Sequence, residues 1–148
     1  MKTTQQISPG MVIGVFATIV FTIAVHTIPL LGFTKIDLSK EIAKRLFGEA
    51  QRLYLIGHAL HYCTGTLLAV AYHLFGRNWI AVRIKNPSYQ LGLVYGTVWS
   101  LLAYLASLVF LILIGQSHLI VTTGIFSLLI AHLLYGVIIG AFLEYDKG

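Results

Sequence analysis

Acidic residues are scarce in this chain, and none lies in its long apolar stretches. Five Asp or Glu occur in 148 residues, at Asp37, Glu41, Glu49, Glu144 and Asp146. A Ser–His–acid set needs its acid at the depth of its partners, so positions this confined exclude one inside an apolar layer. They equally argue against a proton pump and against a carboxylate-bridged metal centre. Cysteine is scarcer still. Cys63 stands alone, which excludes an internal disulfide, a CxxC redox pair and a thiolate metal cage. No GxSxG, HExxH or phosphate-cradling Gly loop occurs either. The chain is expected to be non-catalytic.

Charge of both signs is thin as well. Charged residues make up 10% of the chain and hydrophobic ones 57%, where a globular domain has about a quarter charged. Mean hydropathy is +0.85. What fills the sequence instead is four stretches free of Asp, Glu, Lys and Arg: 11–31, 53–75, 91–114 and 119–142. Each reaches the ~20 residues that a helix needs to cross a ~30 Å hydrocarbon layer. The expected fold is an all-α membrane protein, one domain over residues 1–148. It is a four-transmembrane-helix bundle with one amphipathic interfacial helix between the first and second spans. The first stretch is too long for a signal-peptide core and has no small-x-small site before Lys35, so it is expected to remain as a span.

The connectors carry the formal charge of +5, at the level of anionic head groups. With no exposed domain to bear a basic patch, nucleic acid is not an expected partner. The lipid bilayer, other membrane subunits or a second copy of the chain are. Ser8-Pro9 suits a helix start, as N-cap and first-turn proline, and Pro29 with Gly32 suits its end. Over 37–52, Leu38, Ile42, Leu46 and Ala50 recur every four residues among Lys40, Glu41, Lys44, Arg45, Glu49 and Arg52. That pattern predicts a helix N-capped by Asp37 and lying in the interface plane. The connector 76–90 holds Arg77, Arg83 and Lys85 without an acid, with Trp79 and Tyr89 as belt aromatics. Residues 115–118 are expected to make a tight hairpin between the last two spans.

Sidedness follows the Lys/Arg count. Lys2, Arg77, Arg83, Lys85 and Lys147 share one face; Lys35, Lys40, Lys44, Arg45 and Arg52 share the other. The tally is even, and the short acid-free loop favours both termini on the cytoplasmic side of a bacterial inner membrane.

In lipid, helices associate through small residues and interhelical hydrogen bonds. The first span offers Gly14, Thr18, Thr22 and His26 every four residues. The second offers His58, His61, Gly65 and Ala69. The third has Gly92, Gly96, Ser100 and Ser107, whose hydroxyls are expected to bond their own helix. The fourth has His132, Gly136 and Gly140 on one line. At 1.5 Å per residue, His26 and His58 fall roughly 8 Å inside one face and His61 near 12 Å. His132 lies about midway.

Intramembrane ionisable side chains mark sites by default. Neutral imidazoles bonding Tyr, Thr or backbone are the plain reading. Haem b between two histidines is a second, with His26 beside His58 or His61, or His61 with His132. A transition-metal or chlorin-type ligand at the same residues is a third, and a proton or solute path a fourth.

The segments Gly57-His58-Ala59-Leu60-His61-Tyr62-Cys63-Thr64-Gly65 and Ala131-His132-Leu133-Leu134-Tyr135-Gly136-Val137-Ile138-Ile139-Gly140 resemble a group of small bacterial four-helix membrane proteins of the YagU-like type, a domain of unknown function. Gly92-Leu93-Val94-Tyr95-Gly96 is similar to its Gly-rich third span. The resemblance covers most of the chain after Ile36. It implies His58 or His61, His132, Tyr135, Gly136 and Gly140 as group-typical positions. The extra second-span His and the charged connector depart from the pattern.

The function expected from all this is a non-catalytic accessory or scaffolding subunit of a larger, energy-transducing membrane complex. The alternative is a haem- or metal-binding electron-transfer protein using His26, His58, His61 and His132, with Tyr135 nearby. A small transporter or channel comes third.

Overall fold

Apolar runs this long can satisfy their backbone within lipid only as helices, and helices are what they form. The structure, a computed structural model, describes residues 2–48, 54–76 and 89–144. Five α-helices account for most of these: α1 (Lys2–Thr27), α2 (Leu38–Phe47), α3 (Tyr54–Ala71), α4 (Tyr89–Leu113) and α5 (Gly124–Glu144). Short 3₁₀ turns lie at Ile28–Leu31 and Ser117–Val121, and a π-turn at Tyr72–Gly76 extends α3.

Three segments are long and apolar enough to cross a membrane: Pro9–Leu31, Gly92–Leu113 and Gly124–Phe142. They mark an integral membrane protein. The stretch 53–75, expected as a further span, is helical as α3 but is not in that set. His58, His61, Tyr54, Tyr62 and three Thr or Gly residues at 64–66 dilute its apolar content.

Three boundaries differ most from the sequence expectations. Helix α1 begins at Lys2 and runs through Pro9, because proline removes one hydrogen bond and bends a helix without forbidding it. Helix α2 stops at Phe47, where Gly48 adopts φ 85°, so the stretch read as 37–52 is shorter; 49–52 lie outside the described residues. Helix α5 begins at Gly124 rather than 119, after a 3₁₀ turn and an extended Thr122. The tight hairpin is therefore a longer connector over 114–123. The loop 77–88, with its Arg and Trp79, also lies outside the described residues.

The order of packing is an arc, α3–α1–α5–α4. Helix α3 runs antiparallel to α1: Gly14 closes on Thr66 and Ala69, and Gly65 on Thr18. A Cβ added at Gly14 would stand 2.9 Å from the Thr66 Cα. On the other side of α1, Phe16 meets the Phe142 ring at 6.3 Å and Phe21 the His132 ring at 4.8 Å, so α5 is antiparallel too. Helices α4 and α5 form the closest pair. Gly92, Gly96 and Ser100 lie directly against Gly136 and Gly140, near enough for a Cβ at Gly96 to sit 2.7 Å from the Gly140 Cα.

Helix α2 packs across the start of α3, with Ser39 and Ala43 buried against Gly57. The α1–α2 loop is fastened to the head of α5. The Thr34 amide donates to Thr123 Oγ1 at 2.9 Å, and Ile36 covers Gly124. Outward faces are apolar: Val12, Val15, Ile19 and Ile23 on α1, Val94, Val98, Leu102, Leu105 and Val109 on α4 are all exposed.

Candidate functional site

The arc does not close. Helices α3 and α4 meet at one end only, where Trp99 Nε1 donates to the Leu68 carbonyl at 3.2 Å and the buried Tyr72 ring lies 6.1 Å from Trp99. From there toward α2 they part. The resulting cleft has a volume of about 350 Å³. Its α3 wall is His61, Thr64, Gly65 and Leu68; its α4 wall is Ala103, Ala106, Ser107 and Phe110. Thr18 and Phe21 of α1, with His132 and Tyr135 of α5, form the floor, and Leu38 and Ile42 of α2 cover the end.

Two of the candidate histidines meet here. His61 and His132 both pack on Phe21, at ring-centroid distances of 5.1 Å and 4.8 Å. Tyr62 stands 6.0 Å from His61 and Tyr104 5.5 Å from His132. His132 is buried, and its Nδ1–H donates to the Leu128 carbonyl at 2.8 Å. A carbonyl can only accept, so Nδ1 holds the proton and Nε2 keeps its lone pair in the singly protonated ring. Tyr135 is also buried, and its hydroxyl donates across the bundle to the Gly65 carbonyl.

His26 and His58 are placed differently. The stripe Gly14–Thr18–Thr22–His26 is a ladder of local bonds. Thr18 donates to the Gly14 carbonyl, Thr22 to that of Thr18, and His26 Nδ1 to that of Thr22, at 2.7, 2.8 and 2.9 Å. Spacing by four makes this ladder automatic, since each side chain overlies the carbonyl one turn back. The His26 ring is exposed, with Nε2 3.6 Å from Asp37 Oδ2. Asp37 caps α2 by accepting from the Lys40 amide at 3.1 Å. His58 is half-buried one turn before His61. Cys63 faces outward.

His26 and His61 border a crevice of about 10 Å³, room for roughly one water and no macrocycle. His61 and His132 both rest on the Phe21 ring and border the larger cleft. Among the described residues, no group of three or more His, Cys, Asp or Glu is placed to hold a metal ion.

The chain matches no family model, no curated protein and no solved structure. The likeness to the YagU-like group therefore stands on its short motifs alone.

The cleft itself has a weak sequence signal. Phe21, one position off the Thr18–Thr22 stripe, turns the floor aromatic, while Ala103, Ala106 and Phe110 read as ordinary span residues. What opens the cleft is the divergence of α3 from α4, a relation between two separate segments that no local pattern encodes.

Proposed function

We propose that this chain is a non-catalytic, four-span membrane protein that serves as an accessory subunit of a larger membrane complex. In this reading α3 crosses the layer beside α1, and α2 lies in the interface. The termini face the cytoplasm of a bacterial inner membrane. The antiparallel pairing of α3 with α1 supports a fourth crossing, because a segment packed along a span for its whole length shares its depth.

The observation that carries the accessory role is the state of α4. Only 17% of its spanning window is buried, against 33% in α1 and 44% in α5. It is fixed by one narrow face, Gly92, Gly96 and Ser100, and presents Val94, Val98, Leu102, Leu105 and Val109 outward. A span held along a single seam is the natural contact for a neighbouring subunit, and tight Gly-mediated approach keeps that seam rigid. The resemblance of the H-x-x-Y-G-x-x-x-G segment to the YagU-like group agrees with such a small bundle and adds no activity.

A photo-crosslinking residue at Leu105, with one at Val15 on α1 as the comparison, tests this in native membranes. A discrete adduct from Leu105, and none of that size from Val15, is the expected result. Adducts to lipid alone at both positions, with the solubilised chain monomeric in mild detergent, would remove the accessory role.

A further inference from the structure

The cleft between α3 and α4 combines two properties that bear on what it holds. Its surface is almost wholly apolar and aromatic, and its volume of about 350 Å³ falls within the ~300–1,000 Å³ of small-molecule sites, which bundles build between helices. Its few polar groups have, with one exception, already committed their protons. Thr18, Thr64 and Ser107 hydroxyls donate to the carbonyls of Gly14, Leu60 and Tyr104. Tyr135 donates to that of Gly65 and His132 Nδ1–H to that of Leu128. What these groups still offer is lone pairs, chiefly the His132 Nε2. The exception is His61, whose ring makes no hydrogen bond to the described residues and keeps one N–H to give.

An acceptor-lined cleft at this depth selects a hydrogen-bond donor. Lipid tails have none, and water is absent from the hydrocarbon core. A cation would donate, but desolvating it among Phe21, Leu68 and Phe110 without a carboxylate is costly. A neutral hydroxyl on a flat ring meets both demands: the ring lies among the aromatic walls, and the O–H points at His132 Nε2 while its oxygen accepts from His61. We propose that this cleft binds a membrane-dissolved amphiphile with a phenol- or quinol-type head group, entering between α3 and α4. The proposal rests on the four-span reading, which sets the cleft within the layer, and is independent of the accessory role, since the cleft belongs to one chain.

The test uses the full chain in lipid nanodiscs, with a ring-fluorinated 4-decylphenol followed by ¹⁹F resonance and its methyl ether as a matched probe without the donor. Empty nanodiscs give the partition baseline. The phenol is expected to saturate at one per chain and to bind at least tenfold tighter than the ether. His132→Leu should bring the two within twofold. Ala106→Trp, an exposed position on the α4 wall, should abolish saturable binding of both while leaving the core untouched. Equal affinity of phenol and ether for the native chain overturns the proposal, as does a preference that survives His132→Leu. Undiminished phenol binding in Ala106→Trp overturns it too, whether or not His132→Leu folds.

Discussion

Single residues set how closely these helices approach. Gly96 faces Gly136 and Gly140 backbone to backbone, so a side chain there has nothing flexible to push aside. Gly96→Val is expected to destabilise the fold by about 3 kcal/mol, the upper end of what overpacking does elsewhere. Val98→Leu, two positions away and exposed, should be neutral. Reversible unfolding in mixed micelles reads the difference, and equal stability of the two variants would mean that α4 and α5 are not held by this seam. Tyr135 makes a different contribution, one interhelical hydrogen bond to Gly65. Such bonds average about 0.6 kcal/mol in membrane bundles, so Tyr135→Phe should cost about that much in the same assay. A loss several times larger would show that the hydroxyl has a further partner.

At the scale of the elements, much was legible and the misses share a cause. The apolar runs mark the helices because charge ends where lipid begins, and the i,i+4 glycines mark their closest faces. The boundaries that moved were those where backbone geometry, not polarity, decides. Gly48 ends α2 inside a stretch whose pattern continues past it. Thr122 and Thr123 delay α5 within a run that stays apolar from Leu119 onward, because Thr123 is engaged by the Thr34 amide. For the site, counting depth along each helix sets His26, His58 and His61 near one level with His132 about midway. Which way a ring turns cannot be counted, and the His26 ring is exposed beside Asp37 while those of His61 and His132 pack on Phe21.

Asp37 is where that outer end can be probed. It caps α2 and also stands by His26, two roles that different substitutions separate. Asp37→Ala should cost about 1 kcal/mol through the lost cap and speed hydrogen exchange at the Lys40 and Glu41 amides about fivefold. Asp37→Asn, which can still accept from Lys40, should leave that exchange within twofold of the native rate. Fast exchange in both variants would assign the anchoring of α2 to the carboxylate's charge and not to its cap.

The whole molecule is an arc of helices closed at one end by Trp99 and Tyr72 and open at the other beneath α2. That shape follows from which seams are narrow. Glycine draws α3 to α1 and α4 to α5, while α3 and α4 share only the contacts around the π-turn, so the cleft is the space left where no small-residue seam exists. The cleft lies within the membrane only if α3 crosses the layer, and α3 is the long helix outside the set of segments apolar enough to cross.

Cysteine accessibility decides that point most directly. In a Cys63→Ser background, single cysteines at Lys40, before α3, and at Asn78, after it, are exposed to a membrane-impermeant maleimide in intact cells and after lysis. With α3 spanning and the termini inside, Lys40→Cys is expected to label in intact cells and Asn78→Cys only after lysis. Labelling of both from the same side would contradict a fourth crossing and, with it, the cleft's place within the membrane.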